Sequence, residues 1–114
     1  MANKFRIPTE VEAEIRQRDK VCVYCGKKMI SPKSGEPRMD WATIDHLDHE
    51  PPFDYRPGQT KDDFAIACWR CNCILRKDKK LSDWLAEEYS KKDGEIRRET
   101  TALVVKEYLK RGNH

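Results

Sequence analysis

Apolar residues fall in short, spaced groups along this chain, never in long runs. Val11 and Ile15 stand four apart and mark the buried stripe of a helix that opens at Thr9 and ends near Asp19. Thr9 and Glu12 have capping-box spacing at its start. Lys20 to Met29 reads as a tight turn around Cys22 and Cys25, and Ser31 to Pro37 as a loop. Trp41-Ala42-Thr43-Ile44 is a short strand that delivers Asp45 and His46 at its end. Pro51, Pro52, Pro57 and Gly58 make the next stretch irregular, because proline lacks the donor that a central strand needs. Thr60 to Asp63 is a second capping sequence running into Phe64-Ala65-Ile66-Ala67. A helix beginning at Cys68 and Cys71 carries Asn72, Leu75 and Arg76. Ser82 caps a helix with Trp84, Leu85, Glu88 and Tyr89, which Asp93-Gly94 breaks. The last helix runs from about Glu95 to Lys110 on Ile96, Leu103, Val104 and Leu109, with Gly112 as its stop.

Composition narrows the picture. A chain of 114 residues with 38% apolar and 38% charged residues is one domain with a lean core, which a metal staple would support. No apolar run approaches the roughly 20 residues of a membrane span, and the start has no apolar stretch of signal-peptide length. The expectation is a soluble cytoplasmic protein of a bacterium or phage. The net charge of +3, from 23 basic and 20 acidic residues, exerts little global pull on a polyanion. Contact with phosphate therefore falls to a local cluster, Arg70, Arg76, Lys77, Lys79 and Lys80.

The cysteines carry the first chemistry. Cys22-Val-Tyr-Cys25 and Cys68-Trp-Arg-Cys71 are two Cys-x-x-Cys turns, the spacing of metal ligands in an intracellular chain. Four thiolates close a tetrahedral shell with no open position, so the expected zinc is structural. A rubredoxin-like iron site would use the same ligands. A redox pair would want one exposed thiol of low pKa, and two matched pairs favour the metal. Cys73 is left over and reads as a small, half-buried helix residue.

A second constellation is nested between the pairs. His46 is an imidazole poised near neutral pH, suited to take a proton from water. Asp45 and the Asn72 side-chain oxygen are hard ligands for Mg or Mn. Neighbours on a strand point to opposite faces, so a turn or bulge is expected at Asp45-His46 if both address one phosphate. His49 is either a loop histidine or a further ligand for metal or phosphate. Asp48 and Glu50 read as solvated, His114 as irrelevant, and Trp41, Trp69 and Tyr24 as packing against the cysteine turns.

The run Ile44-Asp45-His46, then Asp62-Asp63-Phe64-Ala65-Ile66-Ala67-Cys68-Trp69-Arg70-Cys71-Asn72 and Lys77, resembles the zinc-stapled branch of the HNH endonucleases. The opening Arg18-Asp19-Lys20-Val21-Cys22-Val23-Tyr24-Cys25-Gly26 is similar too, and the likeness covers about two thirds of the chain. It implies an α+β fold: a small ββα-metal (His-Me finger) core stapled by a four-cysteine zinc site, with flanking N- and C-terminal helices. The whole chain, 1–114, is then one nuclease domain, with its core at about 11–80 and a helical extension at about 82–112. The resemblance implies His46 as general base and Asp45 with Asn72 as ligands of one catalytic cation. The family's middle residue, usually an Asn bracing the loop of the base, falls at Asp63, which accepts hydrogen bonds but does not donate as Asn does. The expected activity is DNA cleavage, one strand at a time, by a monomer or weak homodimer. Arg70, Arg76, Lys77 and Lys80 are expected on the phosphate backbone, giving little sequence preference. The alternative is a non-catalytic, zinc-stabilised nucleic-acid-binding module.

Overall fold

A computed structural model describes residues 5–32, 35–36, 38–49 and 53–111. Gly112, His114, Glu50, Pro51 and Pro52 lie outside the described residues. Strands β1 (Ala42–His46) and β2 (Phe64–Cys68) form a two-stranded antiparallel sheet. Helix α1 (Thr9–Arg18) precedes it; a π-helix (Arg70–Arg76), α2 (Leu81–Tyr89) and α3 (Leu103–Lys110) follow.

Helix α1 starts one residue earlier than a Thr9 cap would place it. Pro8 is the capping residue, and Thr9 is already in the first turn with no side-chain cap bond. Glu12 instead pairs with Arg16 one turn on, at 2.8 Å. The second capping box does form: Thr60 Oγ1 accepts from Asp62 N, and Asp63 Oδ2 accepts from Thr60 N, around the 3-10 turn Lys61–Asp63. Ser82 falls inside α2, which Lys80 enters in extended conformation.

The register is regular: Ile44 faces Ile66, Asp45 faces Ala65 and His46 faces Phe64. No bulge interrupts Asp45-His46, contrary to the expectation from the chemistry. The two side chains therefore lie on opposite sheet faces. Phe64 and Ile66 pack with Ile7 and Ile15 on the His46 face. Ala65 and Ala67 pack with Tyr24, Trp84, Leu85 and Val105 on the Asp45 face. Covered on both sides, all five β2 residues are buried. Arg18 and Asp19 tie α1 to this strand: Asp19 Oδ2 accepts from Ile66 N at 2.9 Å, and Arg18 donates to Phe64 O at 2.7 Å.

The expected long last helix is broken. Residues before Leu103 form a 3-10 turn at Arg98–Thr100 and then extended chain. Thr100 Oγ1 donates to Tyr24 O, and Ala102 N donates to Val23 O at 2.8 Å. A side-chain hydroxyl and a backbone N–H that a helix would have used internally thus fasten this segment to the first cysteine turn. Trp84, Leu85, Ile96, Val105 and Tyr108 share one core with that turn, so the extension packs the core.

Candidate functional site

Residues 22–25 and 68–71 come together although 43 positions separate Cys25 from Cys68. Gly26 closes the first turn at φ +75°, a conformation that favours glycine, and its N–H donates to Cys22 O. Tyr24 N–H points at Cys22 Sγ at 3.5 Å. The sulfurs of Cys22, Cys25, Cys68 and Cys71 all lie within 4.8 Å of one another, and all four residues are buried. Cys25 Sγ and Cys68 Sγ are 3.9 Å apart. A tetrahedral shell with bonds of about 2.3 Å has sulfur–sulfur edges of roughly 3.8 Å. The cluster is therefore shaped to hold a structural zinc ion. Crowded thiols cannot all ionise unaided: Cys22, Cys25 and Cys68, then burial, push the Cys71 thiol far above its ordinary value, while contact with Cys22 draws Cys68 down to about 7. A cation among them removes that conflict. Cys73 is exposed outside the cluster, not half-buried as expected.

His46 closes β1 inside an aromatic cage of Phe5, Phe53 and Phe64, with ring centroids 4.4 to 5.2 Å away. Its Nε2 lies 2.8 Å from Phe53 O. A carbonyl only accepts, so Nε2 carries the proton and Nδ1 keeps the lone pair of the neutral ring. Burial lowers the pKa of His46 from its usual value, which keeps that lone pair available at neutral pH.

Asp45 is buried at 1% exposure, and its surroundings are unlike those of an open ligand. Arg76 Nη1 donates to both its oxygens, at 2.9 and 3.0 Å, and the Tyr24 hydroxyl donates to Oδ2. These bonds use three of the roughly four lone-pair sites of a carboxylate, leaving one on Oδ1. Burial pushes the Tyr24 phenol well above its ordinary pKa, so it stays a donor. Asn72 donates through Nδ2 to Thr43 Oγ1 at 3.0 Å and to Ile44 O at 3.2 Å. With the amide hydrogens so used, Oδ1 is its remaining polar group, and no described residue donates to it. A cleft of about 280 Å³ gathers Asp45, His46, His49 and Asn72, with Phe5 and Phe53 as apolar walls. His49 also borders a larger cleft of about 720 Å³ that reaches Lys79 and Lys80. It sits at φ +48°, a strained backbone for a non-glycine residue.

Arg76, expected on the phosphate backbone, is 0% exposed and bound to Asp45, so it cannot touch DNA from this position. A charge run in the sequence does not say which of its members turns inward. Arg70 is half-exposed and paired with Glu95, while Lys77 and Lys80 stand on the surface. The Asp63 side chain serves Thr60 and Arg111, at 2.7 Å each. It is the Asp63 carbonyl that reaches the chain after His46, accepting from Leu47 N at 3.2 Å. Asp48, expected to be solvated, pairs with Arg56 at 2.6 Å. Sequence reasoning misses the Phe53 carbonyl, since a backbone acceptor leaves no mark in residue types. It also misses the Tyr24 hydroxyl, since a tyrosine between two cysteines reads only as packing. No protein-family model, curated protein or solved structure matches this chain.

Proposed function

We propose that this protein is a metal-dependent DNA endonuclease with His46 as general base. The observation that carries the reading is the cleft that collects His46, Asp45, Asn72 and His49 from the end of β1, the following loop and the π-helix. His46 Nδ1 takes a proton from water, and the resulting hydroxide attacks phosphorus in line with the departing 3′-oxygen. Phe53 O holds the Nε2–H and steadies the imidazolium that forms. The free oxygen of Asn72 suits a hard cation, and Asp45, on the opposite sheet face from His46, would offer it one remaining lone pair from the far side of the phosphate. A bound Mg or Mn ion supplies charge stabilisation at the phosphate and leaving oxygen. Lys77 and Lys80 hold the flanking backbone, with little sequence preference. A zinc ion held by Cys22, Cys25, Cys68 and Cys71 would pin the turn before β1 to the start of the π-helix.

One observation favours the non-catalytic binding module: Arg76 already neutralises Asp45, which weakens its hold on a divalent ion. End-labelled duplex DNA separates the readings. A nuclease yields fragments with 5′-phosphate ends in Mg or Mn and none in EDTA. A binding module retards the duplex and leaves it whole under every ion.

A further inference from the structure

We propose that Arg76 is a positioning residue for His46, acting through the backbone and not through DNA. The inference rests on the reading of His46 as the base. The fully buried guanidinium spends its nitrogens on one neighbourhood. Besides Asp45, Nη1 donates to His46 O at 3.2 Å, Nη2 donates to Leu47 O at 2.9 Å and Nε donates to Lys79 O at 3.1 Å. The His46 carbonyl also accepts from His49 N at 3.0 Å, so the bend after the base is held from two sides.

His46 is the last strand residue; one more cross-strand bond follows it, Leu47 N to Asp63 O at 3.2 Å, and beyond that the Arg76 guanidinium holds the chain. The ring direction of His46 follows from its φ and ψ, and Arg76 clamps the peptide groups on its C-terminal side. The clamp reaches across from the same π-helix that carries Asn72. Lys77 N closes a five-residue turn on Asn72 O, and Lys77 takes φ +54°. The wide turn sets Arg76 and Asn72 on one helix against one strand, so a single fork fixes the base relative to the amide oxygen. A lysine could keep the charge but could not make this planar set of bonds.

The first test uses the wild-type protein and its guanidinium resonances. A clamp keeps the Arg76 Nη protons in slow exchange without DNA and unmoved when a short duplex is added. Arg76→Lys and Arg76→Gln should both shift the His46 ring nitrogen signals and lower kcat for nicking by about 100-fold. Affinity for DNA and its salt slope should stay at wild-type values. Adding His46→Ala to Arg76→Lys should cost little more, since the two act as one unit. Fast guanidinium exchange in the free protein would overturn the proposal, and that result does not depend on any variant folding. So would folded variants with unmoved His46 signals, or a salt slope that drops by about one in Arg76→Gln while Arg76→Lys keeps it. A wild type that shows the clamp but never cuts DNA would sink the nuclease reading and leave the clamp standing.

Discussion

Asp45 and His46 are adjacent in sequence and live in different chemistry. Asp45 stands among charges and hydrogen bonds on the Tyr24 face; His46 stands among rings on the Phe64 face. Removing Asp45 leaves a buried, unpaired Arg76. We expect Asp45→Ala to lose about 3–5 kcal/mol of stability, read from urea unfolding. Loss of cleavage in that variant then reports folding as much as metal binding. Asn72→Ala keeps the buried pair and is the cleaner test of the cation, with a cost of about 1 kcal/mol. The depressed pKa of His46 gives a signed prediction. Between that pKa and the ordinary value near 6.5, the unfolded chain binds the proton and the folded one does not. This contribution to stability is whole above about 6.5 and is lost as pH falls through that window. Cleavage should keep its rate below about pH 6.5 and fall only at the lower, folded pKa, and His46→Ala should remove that limb. Asp45, His46 and Asn72, which line one cleft, were legible in the sequence by residue type and spacing. Their partners were not: nothing in the residue types distinguishes an Arg76 that turns inward from a Lys80 that stays outside.

Elements were readable where local rules decide and misread where distant groups compete. The Thr60–Asp63 capping box formed because both partners are local. The Thr9–Glu12 box did not, because Pro8 takes the cap and sets Thr9 inside the turn. The helix expected from Glu95 broke because Thr100 and Ala102 bond the cysteine turn, a contact 76 residues away in sequence for Thr100 and Tyr24. The extension is consequently part of the core, with Trp84 against Tyr24 at 4.8 Å between ring centroids. Truncation after Lys80 should abolish the cooperative thermal transition, since it strips one side of the sheet. A truncated protein that melts cooperatively with unchanged near-ultraviolet dichroism would contradict this packing. The π-helix had no sequence signal beyond its helical setting; its wide turn ends on the bond from Lys77 N to Asn72 O.

At the scale of the whole molecule, two cysteine turns hold the structure at the point where sheet, π-helix and extension meet. The four-cysteine spacing was the most legible feature, since four ligands in two local turns specify a shell without knowledge of the fold. Removal of a zinc ion held by the four cysteines should therefore unfold the protein, and dichroism during titration with a chelator measures this. The α+β architecture is present, with a two-stranded antiparallel sheet, and the cleft is lined from the end of β1, the following loop and the π-helix. The clefts were beyond the sequence because they depend on where Phe53 and His49 stand relative to the end of β1. A single base in that cleft would cut one strand per encounter. The most direct test is conversion of supercoiled plasmid in Mn, with wild type beside His46→Ala and both shown to be folded and zinc-loaded. The account predicts open-circle product from wild type, none in EDTA, and almost none from the variant. Equal nicking by both proteins, or none by a folded wild type in any divalent ion, would contradict it.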